Sequence, residues 1–218
     1  MKYRTTGIAI LIAVALSVTL VAEDFTTLGE VTVEVSEIAT VGEEAPDFSL
    51  SNAKGEKINL SDFAGQYVVL EWVNYDCPFV KKHYRSNNMQ GLQATYTKKD
   101  VVWLSICSSA PGKQGYFVDE ELSLRIKEEK SGASSYLVDA DGIVGRLYEA
   151  KTTPHIFIIN PEGVLVYAGA IDDVKSTKAE DIEGAVNYVQ TTLDAALADK
   201  VIEISSTKSY GCSVKYAK

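Results

Sequence analysis

Cys77 follows an apolar run, YVVLEWVN at 67–74, and precedes Pro78, beyond which Val80, Tyr84, Leu92 and Tyr96 recur at roughly helical spacing. The pattern sets a thiol where a strand turns, at Tyr75 and Asp76, into a helix expected to run from Pro78 to about Tyr96. Unpaired N–H groups and the positive end of the helix dipole favour thiolate over thiol at such a position, and the thiolate is the nucleophile. Pro78 suits the first helical residue, because its φ is already helical and its missing N–H would have had no partner. Lys81 adds positive charge one turn on and Asp76 opposes it, so a modest lowering of the Cys77 pKa is expected.

A sulfenic acid or mixed disulfide formed on Cys77 needs a second thiolate, or an external reductant, for turnover. Cys107 ends a strand-like run, VVWLSI at 101–106, and an adjacent strand lies only about 4.8 Å away. Its apolar setting reads as that of a small, packed, inert cysteine. Cys212 lies in a mobile-looking tail between Gly211 and Ser213, where the backbone can bend toward a partner. Cys212 is the expected resolving residue, with no intramolecular partner as the alternative. His83, off the helical face of Cys77, and His155, at a strand start, read first as surface or supporting residues. Only if they converged with Cys77 would they suit copper or zinc.

Several elements must bring these residues together. The run at 101–106 is apolar enough for a parallel strand buried on both faces, so strand, helix, strand makes a βαβ unit with a right-handed crossover. An amphipathic helix is expected at 119–130 and a short strand at 135–138. A turn at Asp139, Asp141 and Gly142 then leads into a helical stretch through Tyr148. A proline-led strand at 152–160 pairs with 164–169 across Pro161-Glu162-Gly163, which makes the sheet mixed. A long closing helix follows at 179–199, and the 200–218 tail shows no core role. Ahead of the main sheet, short strands near Phe48–Leu50 and 57–60 form a hairpin, with Ser61 capping a helical turn.

Composition bounds the rest. The chain has 218 residues, 46% hydrophobic and 23% charged, as one globular domain requires. Lys2 and Arg4 before the apolar run 7–22 read as a signal peptide over 1–22, followed by an acidic lead-in at 23–40 that contains the alternating VTVEV at 31–35. Export to a periplasmic or extracellular space, with no stable membrane insertion after cleavage, is the expectation. Cleavage would remove two cations and no anion, taking the net charge from -9 to -11. Such a surface repels phosphate backbones, so nucleic acid is excluded as a partner, and the pairs Lys81-Lys82 and Lys98-Lys99 read as solvated helix surface.

The opening GEEAPDF, the run LSDFAGQYVVLEW and the run TTPHIFIINPEG, in this order about Cys77, resemble the AhpC/TSA and redoxin families of the thioredoxin-like superfamily. The resemblance covers roughly 41–199. It implies an α/β thioredoxin-like fold, a mixed central sheet flanked by helices, with the hairpin as an N-terminal addition. It places Cys77 as the attacking cysteine, Pro154 as a cis-proline packed beside it, and Thr153 as the backbone edge that receives a docking peptide. Glu71, six residues before Cys77, falls where a buried acid accepts or relays the thiol proton, and its apolar neighbours favour burial. Thr153, Pro154, Asn74 and Pro78 are the residues expected to line the substrate. Two departures stand out: Cys77-Pro78-Phe79-Val80 lacks a second cysteine, and Asn74 stands where peroxidases of the group keep Thr or Ser. The resemblance implies a thiol oxidoreductase acting on a protein disulfide or a peroxide, recharged by an external thiol and needing no cofactor. The alternative is a non-catalytic module, either a copper metallochaperone or a client-docking redoxin.

Overall fold

The computed structural model describes residues 38–218; the signal peptide, the strand-like run at 31–35 and most of the lead-in lie outside the described residues. The hairpin is present as β1, Ser49–Asn52, and β2, Lys57–Asn59. β3, Val68–Trp72, is followed by α1, Pro78–Arg85, and α2, Asn88–Thr97. Then come β4, Val102–Cys107, α3, Asp119–Glu128, β5, Ser135–Val138, and α4, Ile143–Leu147. The chain continues through β6, Thr152–Thr153, β7, His155–Ile159, β8, Leu165–Gly169, α5, Tyr188–Ala196, and β9, Cys212–Ser213.

Seven strands form one mixed sheet in the order β2-β1-β5-β4-β3-β7-β8, while β6 and β9 form a separate antiparallel pair. β3 lies at the centre, parallel to β4 and antiparallel to β7. Side chains alternate across a strand, so β3 feeds two cores. Val69 joins Trp103, Tyr84, Tyr96, Val189 and Leu193 under α1, α2 and α5, whereas Val68, Leu70 and Trp72 pack with Phe157, Tyr148 and Phe48 on the opposite face. Both faces are covered, which is why the run carries no exposed polar residue. Glu71, with the same parity as Val69, is driven beneath α1 and α2. Among the described residues no helix is long and apolar enough to cross a membrane.

Three expectations are corrected. The helix after Cys77 is two helices: Ser86 Oγ donates to the Lys82 carbonyl at 2.8 Å, and Asn87 takes a left-handed conformation, φ 59°, which asparagine tolerates better than most residues. The closing helix spans only Tyr188–Ala196, because Gly184 at φ 88° ends an isolated 3₁₀ turn at Ala179–Ile182, and Asn187 restarts the helix by accepting from the Gln190 amide at 3.0 Å. The tail is an ordered strap. Thr207 Oγ1 receives the Ala170 amide at 2.9 Å and lies 2.7 Å from Tyr167 Oη, Tyr210 is buried, and the Tyr216 hydroxyl donates to the Ala150 carbonyl at 2.7 Å. Isolated polar and aromatic residues anchor it, and these carry no hydropathy period to read.

Both histidines are buried, and burial first of all holds each near a pKa of about 4, below the ordinary 6.5. Between these values the unfolded chain binds protons that the folded chain refuses, so stability falls as pH drops from 6.5 toward 4. Each histidine contributes up to about 3 kcal/mol to that loss. Urea unfolding at pH 7 and pH 4.5 checks the slope, and His155→Phe should flatten it.

Candidate active site

Cys77 caps the N-terminus of α1 in an extended conformation, with Pro78 first in the helix and exposed. Its neighbours come from two distant parts of the chain. Thr153-Pro154 is a cis peptide, and Cys77 Sγ lies 3.1 Å from the Thr153 carbonyl oxygen. On the other side, β9 pairs with β6, Thr153 opposite Cys212 and Thr152 opposite Ser213, which brings Cys212 Sγ to 2.7 Å from Cys77 Sγ. A disulfide of about 2.05 Å would need only a small further approach. Cys77 is 0% exposed and Cys212 is half-buried, so the strap covers the first sulfur with the second.

This arrangement separates the two thiols in acidity. Burial pushes Cys77 up, yet it is outweighed by the neighbouring Cys212 thiol, the Thr153 side chain and the amides of Val80 and Cys212, so its pKa is lowered from the ordinary 9. Burial and the neighbouring Cys77 sulfur push Cys212 up to about 11, with Lys215 opposing. The pair therefore gives up its first proton from Cys77. In a Cys107→Ser background, thiolate absorbance followed against pH should show one cysteine ionising below 9 and a second near 11, and Cys212→Ser should abolish the upper step. Lys81 adds less than its sequence position implies, because its ammonium lies 3.7 Å from Asp76, which Arg125 also holds at 3.0 Å.

Glu71 is 0% exposed and meets a ring of neutral donors. Trp103 Nε1 reaches Oε2 at 2.8 Å, Ser105 Oγ at 3.1 Å and Gln93 Nε2 at 3.2 Å, while the Tyr84 hydroxyl reaches Oε1 at 3.0 Å. Burial raises its pKa, and these four donors pull it back. The structure does not bring Glu71 into hydrogen-bond contact with Cys77. Asn74 Nδ2 donates to the Gln114 carbonyl at 3.2 Å and its Oδ1 accepts the Asp76 amide at 2.9 Å, so the amide braces the turn into Cys77. The Thr153 edge is likewise filled, by the chain's own β9.

Cys107 lies apart, buried, its thiol 3.3 Å from the Gly115 carbonyl, with burial raising its pKa. His83 Nδ1 is 2.8 Å from Asn88 Nδ2, and His155 accepts the Lys151 amide at 3.3 Å and packs on Phe157. Neither is hydrogen-bonded to Cys77, and among the described residues no group of three or more His, Cys, Asp and Glu could hold a metal. Lys82, expected on solvated surface, is buried, its ammonium 3.4 Å from Asp172. Asp172 and Tyr210 were invisible as site neighbours in the sequence; only the position of Tyr210, two residues before Cys212, hints at it.

The central mixed sheet, the helix-capping thiol and the cis-proline beside it define a thioredoxin-like fold. The AhpC/TSA family model matches residues 41–168, more than half of the chain, and the protein belongs to that family. Over 132 residues it is 24% identical to the thiol-disulfide oxidoreductase ResA of Bacillus subtilis, a match covering 57% of this chain and 64% of that relative, just under two thirds of its length. Among solved structures it is similar to an uncharacterized conserved protein from Geobacillus kaustophilus, with 26% identity, TM-score 0.69, and 83% and 94% of the two chains covered. A hypothetical protein from Sinorhizobium meliloti also matches, with 26% identity, TM-score 0.66, and 82% and 95% covered.

Proposed function

We propose that this protein is an exported thiol-disulfide oxidoreductase whose redox couple is Cys77 and Cys212. The observation that carries the reading is the 2.7 Å approach of the two sulfurs, 135 residues apart in sequence, over a cis-proline edge. The likeness to ResA supports the reaction class.

Because Cys77 is covered, β9 must part from β6 before a substrate disulfide reaches it. The Cys77 thiolate then attacks one substrate sulfur and the other leaves as a thiolate. Cys212, deprotonated, attacks the Cys77 sulfur, forms the Cys77–Cys212 disulfide and releases the second substrate thiolate. The substrate disulfide has gained two electrons and the protein dithiol has lost two. An external dithiol reverses the change by attacking the more accessible Cys212 sulfur, with Cys77, the more acidic thiol, as leaving group.

Insulin reduction driven by dithiothreitol tests the reading. The protein should accelerate it and Cys77→Ser should not. A wild-type protein no faster than Cys77→Ser would contradict it.

A further inference from the structure

Between α1 and the strap lies a buried charged cluster that the exchange chemistry does not use. Asp172, 2% exposed, accepts the Val174 amide at 3.0 Å and the Tyr210 hydroxyl on Oδ1, and its Oδ2 faces Lys82 Nζ at 3.4 Å and His83 Nε2 at 3.8 Å. Lys82 Nζ also donates to the Val174 carbonyl at 3.2 Å. Lys82 and His83 belong to α1, the helix that Cys77 caps, and Tyr210 stands two residues before Cys212. The Tyr210 ring packs on Phe79, also of α1, with centroids 5.8 Å apart. Burying a lysine and an aspartate carries a desolvation cost that a scaffold of this size has no need to incur for stability alone. One carboxylate thus fastens both thiol-bearing elements to each other. Other anchors of the strap do not reach α1: Thr207 ties it to β8 and the segment after it, β9 pairs with β6, Val214 bonds Lys151, Lys215 bonds Ala110, and Tyr216 bonds Ala150.

Resting on the functional reading above, we propose that Tyr210 and Asp172 are positioning residues, a latch that joins the strap to α1 and holds Cys212 in register over Cys77. A hydrogen bond to a buried carboxylate is stronger than a neutral one, and small misplacements of reacting groups cost large factors in rate. Without the latch the reduced strap samples positions away from Cys77, the thiols meet less often, and Cys77 is uncovered.

The test uses the full chain, with the melting temperature recorded so that every variant is assayed while folded. Two quantities are read: the equilibrium constant for forming the Cys77–Cys212 disulfide with glutathione disulfide as oxidant, and the rate at which iodoacetamide alkylates Cys77 in the reduced protein. Tyr210→Phe should lower the first about tenfold and raise the second by a similar factor. Thr207→Val, which removes a half-buried strap anchor that does not touch α1, should lower the melting temperature while leaving both at wild-type values. A Tyr210→Phe protein with both quantities unchanged, or a Thr207→Val protein that moves them equally, overturns the latch and leaves the two-cysteine couple standing. A wild-type protein that forms no Cys77–Cys212 disulfide overturns the couple and the latch together.

Discussion

Cys212→Ser should lower multiple-turnover disulfide reduction by at least about a hundredfold while sparing the first attack by Cys77. In the wild type the second thiol waits 2.7 Å from the first, so the mixed disulfide is resolved within the molecule. In the variant it must wait for reductant from solution, and orientation and proximity of the wild-type order are worth several powers of ten over a bimolecular encounter. Serine retains a hydrogen-bond donor toward the Cys77 sulfur, so Cys77 acidity changes little and the loss reports on resolution. Acid-quenched mass spectrometry should find a stoichiometric mixed disulfide on Cys77 in the variant and a Cys77–Cys212 disulfide in the wild type.

Gly211→Ala should act on the same couple through the backbone. Gly211 adopts φ 138°, and a Cβ there would collide with the Thr153 carbonyl oxygen and stand 2.8 Å from its carbon. Those are backbone atoms of the cis-proline edge, with no flexible side chain to move aside. The clash is relieved only by displacing β9 from β6, and strain of this kind costs about 1–3 kcal/mol. At 1.4 kcal/mol per tenfold, the open population should rise by roughly one to two orders of magnitude. Alkylation of Cys77 should accelerate by a similar factor and the disulfide yield with glutathione should fall, whereas Gly184→Ala, at a glycine whose Cβ meets nothing within 4 Å, should leave both unchanged.

How much of this was legible in the sequence follows from what each residue is fixed by. Cys77 and the strand before it are determined locally, by an unbroken apolar run, a proline and a helical period, and the sequence reading of the thiol at a helix start matches the structure. The thioredoxin-like architecture was carried by three motifs in order. The helix breaks were missed because Asn87 and Asn187 act through single conformations and single hydrogen bonds, which periodicity averages away. The strap was misread for a related reason. Gly211, Tyr210 and Thr207 gain their meaning from partners at Thr153, Asp172 and Tyr167, and no local pattern announces a pairing 38 to 58 residues away. Lys82 was misassigned for the same cause: its counter-ion lies 90 residues downstream. The role of Asn74 in bracing the turn depends on Gln114, 40 residues away, and so leaves no local signal.

Two sulfurs remote in sequence, those of Cys77 and Cys212, form the proposed couple. Mild oxidation of the purified protein, blocking of free thiols, and peptide mapping under non-reducing conditions test it directly. The expected result is a single Cys77–Cys212 crosslink with Cys107 recovered blocked after unfolding. Recovery of Cys77 as a free thiol beside a Cys107–Cys212 crosslink would contradict it.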